Sequence, residues 1–388
     1  MKKLKILHIS PDGVLFGTER HILSIVKNSN RDEFAHSVSV PREGSFTEEL
    51  KKIGIEYIVG SRMPGKTNVF EGLMEKNGVR KLYSLIKNGD HDIIHSHLVT
   101  YGGMLAKLAG KKKLIHTRHG IFWTEEEIKN LSYPKKKLQK IKSNIFLRTI
   151  ALSDTEKRIM VEEFNYDPGK IEVIYNGVSI DDIRSKIDPS ITKIDLFSSN
   201  DFIAGSVGRF ERQKGFHLFV SAAQKVVAKV KNIKFILIGN GSLKQSILKQ
   251  INEAGLDEFF IIMDYKKNIF DYLNNFDVMV SSSLWEGVPY AILEAMSLGK
   301  PTIAVTSSLS GVNEIISDRE DGYLIHDDFV NGLAEKIILM YEDKNKYKEL
   351  SVNCVNKIKT KFSETEMIKK TENLYKNVSL SGVQLNAL

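Results

Sequence analysis

Short apolar runs alternate with longer amphipathic ones along this entire chain, and that alternation limits what it can fold into. "LKILHIS" reads as a strand and "TERHILSIVKN" as a helix; "AHSVSVP" and "IEYIVG" follow as strands. "VRKLYSLIKNG" is helical, "HDIIHSH" a strand, "YGGMLAKLAG" helical and "KLIHTRHG" a strand, with "TIALSD" and "IEVIYNG" completing the half. From Ile180 to Asn200 the period disappears into Asp, Ser, Pro and Asn, as a linker would. The grammar then resumes with "FIAGSVGRF", "KFILIGNG", "FFIIMDY", "DVMVSSS", "KPTIAVT" and "DGYLIH" as strands between helical stretches, closing on a helical tail from about Gly332. Such a βαβα order predicts parallel sheets covered by helices.

With 388 residues the chain is too long for one ordinary core and divides into two domains. The expected organisation is two tandem Rossmann-like doubly wound parallel-sheet domains facing a cleft, over residues 1–185 and 200–362. Ligands in such sheets sit beyond the carboxyl ends of the strands, so the chemistry belongs in the turns that follow them.

The single cysteine, Cys354, excludes an internal disulfide and fits a reducing compartment. "MKKLKILHISPDG" has too short an apolar run for a signal peptide, and no stretch approaches the ~20 apolar residues of a membrane span. The expected location is cytoplasmic. Net charge is +8, and "YPKKKLQKIK" at Tyr133–Lys142 gathers five lysines. This is a solvated helix face or a patch for anionic lipid headgroups at the inner face of the membrane. No stacking motif or recognition helix accompanies the charge, so nucleic acid is not an expected partner.

"SLWEGVPYAILEAMSLGKPTIAV", from Ser283 to Val305, sets two carboxylates in unusual places. Glu286 stands in the loop after a strand. Pro289 suits the first turn of a helix, and Gly299 and Pro301 suit its end. Glu294 then lies about one turn inside a helix that is apolar nearly all round, hence buried. A buried carboxylate must be hydrogen-bonded or paired. Ligand hydroxyls would satisfy it, and so would a neighbouring backbone amide. The free N–H groups of Gly287, Val288 and Tyr290, around Pro289 which has none, lie at the helix start and suit an anion. Carboxylate and amides together describe a nucleotide sugar.

"VGRFERQKG" follows a strand and precedes a helix, placing Arg209 and Lys214 at the same edge. They are two fixed cations for a leaving diphosphate, or two ordinary surface cations. His119 ends a strand of the first domain and is either a site residue or a satisfied core histidine. His95 and His97 face one side of a strand end, yet no Asp, Glu or Cys partner declares a metal site. The pairs Asp181–Asp182 and Asp327–Asp328 read as solvated turns.

Together these residues resemble the retaining glycosyltransferases of family 4, which have the two-domain GT-B fold. The likeness rests on "GR…KG" at Gly208, Arg209, Lys214 and Gly215. It rests equally on "EG-x-P…LEAM…G-x-P" at Glu286, Gly287, Pro289, Leu293–Met296, Gly299 and Pro301. "FGTERH", "IIHSH", "HTRHG", "ALSD", "VIYNGVS", "SGVNE" and "DGYLI" are weaker marks in the same order.

The resemblance implies that the first domain binds the acceptor and the second the nucleotide-sugar donor, with the last helix, about 363–388, crossing back to the first domain. Arg209 and Lys214 would hold the diphosphate and stabilise its charge as the glycosidic bond breaks. Glu294 would hold the ribose, Glu286 would sit by the donor sugar, and Gly287–Tyr290 would meet phosphate and sugar through the backbone. His119 would face the donor sugar, and Gly17 would lie in a loop near the donor phosphates. There the chain departs from the family's "GGAER", with Phe16 and Thr18 in place of the first glycine and the alanine.

It also implies retention of configuration, no metal or other cofactor, and UDP as the favoured nucleotide. The base would be gripped at "IIMDYKKN", and the acceptor would be a glycan, a lipid-linked sugar or another hydroxyl. Two alternatives stay open: a sugar-nucleotide epimerase or phosphorylase on the same scaffold, and a non-catalytic binding module.

Overall fold

The structure is a computed structural model that describes residues 2–60, 76–121, 123–191, 198, 200–265 and 268–381. The chain divides into two compact units, each with one parallel sheet. The first comprises Met1–Ile121, Glu125–Tyr175 and Thr365–Leu388; the second comprises Phe122–Thr124 and Asn176–Glu364. The chain therefore passes to the second unit at Tyr175–Asn176, before the boundary at 185 that lost periodicity suggested.

In the first unit β1 (Leu4–Ile9), α1 (Gly17–Asn28), β2 (Phe34–Val40), α2 (Ser45–Lys52), β3 (Glu56–Val59), α3 (Lys76–Asn88) and β4 (Ile93–His97) lead to α4 (Tyr101–Leu108). There follow β5 (Leu114–Thr117), α5 (Glu125–Lys129), α6 (Tyr133–Ser143), β6 (Arg148–Ala151), α7 (Asp154–Glu162) and β7 (Ile171–Val173). The second unit runs α8 (Ile180–Ser185), β8 (Phe202–Val207), α9 (Phe216–Val227), β9 (Ile233–Ile238), α10 (Lys244–Glu253), β10 (Phe260–Met263), α11 (Phe270–Asn275) and β11 (Val278–Ser281). It continues with α12 (Tyr290–Ser297), β12 (Thr302–Val305), α13 (Val312–Ile315), β13 (Gly322–Ile325), α14 (Phe329–Glu342) and α15 (Lys344–Lys361). The last helix, α16 (Glu364–Leu380), belongs to the first unit almost entirely.

Strand order is β3-β2-β1-β4-β5-β6-β7 in one sheet and β10-β9-β8-β11-β12-β13 in the other. In each, the order reverses beside the first strand, between β1 and β4 and between β8 and β11. Crossovers leave those neighbours in opposite directions, which opens a crevice at their carboxyl ends. The loops after β1, β8 and β11 leave from there.

The cores follow from the strand pattern. Leu7, Ile9 and Ile94 pack with Leu82, Ile86 and Phe146 on one face of the first sheet. On the opposite face, His8 pairs in register with His95, while His36 lies opposite Ile6 and Thr117 opposite His97. In the second unit Val278, Val280, Phe235, Leu237, Ile303 and Val305 bury one face of the sheet, and Ile236, Ile238 and Met279 bury the other.

Three helices of the first unit escaped the sequence reading. α2 and α7 are short and strongly charged, so their apolar stripes are only a few residues wide; α5 begins with three consecutive glutamates. The stretch expected to be pure linker contains α8. Ser179 caps it, its hydroxyl accepting from Asp182 N, so Asp181–Asp182 stands in a first helical turn and not in a loop. Pro289 is the cap residue of α12 and Tyr290 its first helical position.

Candidate active site

In the second unit the loop after β8 and the loop after β11 are stitched into one structure. Gly215 makes the close approach possible. Its φ is +57°, and a Cβ there would lie 2.2 Å from Ser282 O. Ser282 Oγ donates to Lys214 O at 2.8 Å, and Leu284 N donates to Gln213 O at 2.8 Å. Gln213 Nε2 donates to Trp285 O at 2.9 Å. The sequence reading passed over Gln213, whose role depends on a loop 72 residues further along.

This stitching brings Lys214 onto Glu286, with Nζ 2.5 Å from Oε1 and only 17% and 11% of the two side chains exposed. Gly208 leaves room for the lysine stem, since a Cβ there would lie 2.9 Å from Lys214 Cε. Two residues expected at the donor diphosphate and sugar are thus in direct contact. An ammonium has three N–H donors, so bonding one carboxylate oxygen leaves others for an anion. Arg209 is exposed, and its guanidinium has no hydrogen-bond or ion-pair partner among the described residues.

The loop continues into α12. Glu286 O accepts from Gly311 N at 3.0 Å and Val288 O from Asn176 Nδ2 at 2.8 Å. The N–H groups of Gly287 and Val288 meet no acceptor among the described residues, which suits the expected anion contact. Glu294 is 5% exposed on α12, among Ile292, Leu293, Ala295 and Met296, as the apolar pattern required. Gly299 ends the helix at φ +70°. "IIMDYKKN" is described except at Lys266 and Lys267, which lie outside the described residues.

In the first unit the structure departs from the expectation at Gly17. It is not a loop residue but opens α1, and a Cβ there would meet nothing within 4 Å. The crowded glycine is Gly13, where a Cβ would sit 1.8 Å from Arg42 O. Asp12 shapes that loop by accepting from Gly13 N at 2.7 Å and from both Arg42 nitrogens at 2.8 and 3.0 Å. Phe16 stands 49% exposed. Buried Glu19 accepts from Ser10 Oγ and Phe16 N, and burial pushes its carboxyl up to about 7.

His119 follows β5 with φ +65°, a left-handed conformation that costs a non-glycine residue about 1–2 kcal/mol. Glu156, buried on α7, holds the turn by accepting from Gly120 N at 2.8 Å and Leu152 N at 2.6 Å. The ring of His119 is half-buried, with Nε2 3.2 Å from His97 Nδ1.

His95 and His97 do have partners: His97 meets the rings of His8 and His119, and His95 the hydroxyls of Tyr375 and Thr117. Ring nitrogens of His8, His95 and His97 lie within 4.8 Å of one another, as do those of His21, His97 and His119. Burial pushes the rings of His8, His95, His97 and His119 well below the usual histidine range. It brings His36 to about 4 and His116 to about 3. Neutral imidazoles from β2, β1 and β4 therefore share one face of the first sheet.

Two doubly wound parallel sheets, each with a strand-order reversal beside its first strand, define the fold class as GT-B. Residues 17–182 match the family model described as Glycosyltransferase Family 4, and residues 188–357 match that of Glycosyl transferases group 1. The chain belongs to the family 4 glycosyltransferases.

It is 28% identical over 385 residues, 96% of its length and 97% of the relative's, to the UDP-Gal:alpha-D-GlcNAc-diphosphoundecaprenol alpha-1,3-galactosyltransferase of Escherichia coli. Among solved structures, Anabaena Alr3699/HepE in complex with UDP and glucose superposes with a TM-score of 0.81 at 20% identity, covering 96% of this chain and 100% of that one. The sucrose-phosphate synthase of Thermosynechococcus elongatus gives 0.81 at 16% identity, covering 98% and 100%.

Proposed function

We propose that this glycosyltransferase moves a sugar from a UDP-sugar to a hydroxyl of a lipid-linked or glycan acceptor, with retention of configuration, in the synthesis of a cell-surface polymer or glycolipid. The observation that carries the reading is the contact between Lys214 and Glu286, held by two stitched loops beside the amides of Gly287 and Val288, which meet no acceptor among the described residues. The E. coli relative is named for a UDP-galactose donor and a diphosphoundecaprenol acceptor, which supports both halves of the reaction.

In this mechanism the diphosphate lies against Arg209, Lys214 and the amides at the start of α12. The fork of Arg209 and the point charge of Lys214 stabilise the negative charge that grows as the glycosidic bond breaks. These cations take the part a metal would otherwise play. Glu294 holds the ribose hydroxyls. Glu286 orders the hydroxyls of the transferred sugar while fixing Lys214. The departing phosphate takes the acceptor's proton as the acceptor oxygen attacks from the same face.

The acceptor reading draws on α6. Tyr133, Leu138 and Ile141 are 77%, 48% and 55% exposed on this helix among its lysines. Exposed apolar side chains beside cations suit an anionic membrane surface. No helix among the described residues is long and apolar enough to cross a membrane, so this helix would hold the enzyme at the inner face.

The test incubates the protein with UDP-sugars and a polyprenyl-diphosphate-linked sugar in the presence of EDTA. UDP release is followed and the anomeric configuration of the product read by NMR. Acceptor-dependent release with the donor's configuration retained is expected. Inversion, a requirement for metal, or a new sugar nucleotide made without acceptor would contradict the reading.

A further inference from the structure

Four imidazoles of the first unit are joined end to end. His36 Nδ1 lies 2.9 Å from His8 Nε2, His8 Nδ1 lies 3.0 Å from His97 Nε2, and His97 Nδ1 lies 3.2 Å from His119 Nε2. The parallel register assembles them: β2, β1 and β4 each contribute one ring on the same sheet face, and His119 follows β5.

A neutral imidazole carries one N–H and one bare nitrogen. Each contact in the chain uses one N–H and one bare nitrogen, so the tautomer of any ring dictates the tautomers of the rest. Only two arrangements are consistent. Either every ring carries its proton on Nδ1, and His119 presents a donor there, or every ring carries it on Nε2, and His119 presents an acceptor.

The far end is closed. His36 Nε2 is buried and has no hydrogen-bond partner among the described residues. A proton has no outlet there, so the chain holds a tautomer and does not carry protons away. The neighbouring groups do not break the pattern. His95 bonds the Tyr375 hydroxyl of α16 and the Thr117 hydroxyl, each at 2.8 Å, and hydroxyls serve either sense. His21 of α1 packs edge-on against His97 and His119, and Arg31 acts on His36 only through its charge. Burial keeps the Tyr375 hydroxyl protonated and the four rings neutral.

We infer that His36, His8 and His97 are positioning residues for His119: the four rings form one tautomeric unit, and whether His119 donates or accepts at Nδ1 is shared along the whole chain. A ligand oxygen that accepts from His119 Nδ1 selects the Nδ1–H arrangement throughout and orders three buried rings with it. The inference rests on reading His119 as the residue that faces the donor sugar.

The test uses the full chain with 15N-labelled histidine, with imidazole nitrogens observed by NMR at pH 7 with and without UDP-sugar. Thermal shift on the same samples reports donor binding separately. All four rings should be neutral and of one tautomer with donor bound, and titration should move the signals of His36 as well as those of His119. His8→Leu should confine that response to His97 and His119 and weaken donor binding by about tenfold, one lost hydrogen bond. His8→Gln, which can still bond both neighbours, should restore affinity.

Mixed tautomers, a protonated ring, a tightly retained metal ion, or a response at His119 that never reaches His36 while thermal shift records binding would each overturn the inference. Absence of any thermal shift would instead overturn the donor reading of His119, which is the separate failure.

Discussion

The loops around Lys214 and the histidines behind His119 both gather near the strand-order reversal of their sheets, yet they are built on opposite principles. The second unit gathers fixed charge. Lys214, Glu286 and Arg209 stand on loops whose glycines let backbones touch. The first unit gathers neutral, titratable rings on a closed sheet face, with His8, His95 and His97 fully buried. Eight of the ten histidines lie within the first 119 residues, and the second unit holds only His217 and His326. Fixed charge suits an anion that changes charge during reaction; neutral rings supply direction without charge.

The widest test of this contrast is acid. Seven rings of the first unit, His8, His36, His91, His95, His97, His116 and His119, have their pKa lowered by burial. An unfolded histidine titrates near 6.5, so below that pH the unfolded chain binds protons that the folded unit refuses. The stabilisation is complete above about 6.5 and falls away with decreasing pH, by about 1.4 kcal/mol per pH unit for each ring. Glu19, raised to about 7, acts in the opposite sense, gaining stability as pH falls from 7 towards 4.5, but it is one group against seven. Urea unfolding at pH 7.5 and 5.5 should show the first unit losing several kcal/mol, on the order of the sum of these slopes, and the second, where burial lowers His217, far less. Equal losses in both would break the comparison.

Lys214→Ala comes next. With the fold intact, the turnover number should fall about 100- to 1000-fold, the scale for removing one stabiliser of developing charge. A loss under tenfold would remove Lys214 from the diphosphate.

A pair of glycines sharpens the contrast in stability. Gly215→Ala meets both a left-handed φ and Ser282 O at 2.2 Å, and should cost about 2 kcal/mol or more in chemical denaturation. Gly17→Ala, with open space around it, should stay within about 0.5 kcal/mol.

The smallest effect concerns α6. Replacing Lys135, Lys136, Lys137, Lys140 and Lys142 with glutamine should weaken binding to anionic vesicles by about 1 kcal/mol per lysine that reaches the surface. Cosedimentation that is unchanged, or absent from the start, would end that reading.

The two regions also differ in how far the sequence discloses them. From Glu286 to Pro301 the carboxylates, glycine and prolines are contiguous, because one loop and one helix form that part of the site; local spacing suffices to read it. The sheet class was legible for a similar reason, since strand and helix periods are local properties. His8 and His97 are 89 residues apart and meet only through parallel register, which periodicity does not number. His95 and His97 accordingly looked partnerless when the search was for a nearby carboxylate or cysteine. Gly13 went unremarked because what crowds it is the carbonyl of Arg42 on another loop. The chain's transfer between units was misplaced because α8 is too short and polar to display a period.

The most direct test of the central claim, that the second unit's stitched loops and α12 bind a nucleoside diphosphate sugar, is a thermal-shift titration with UDP, GDP, ADP and dTDP. It is run on the wild type beside Lys214→Ala and Glu294→Ala. A ligand that binds only the folded state raises its apparent stability. UDP should raise the melting temperature of the wild type and lose most of that effect in both variants. If no nucleotide shifts the wild type at millimolar concentration, or the variants respond as the wild type does, Lys214 and Glu294 do not form the donor site.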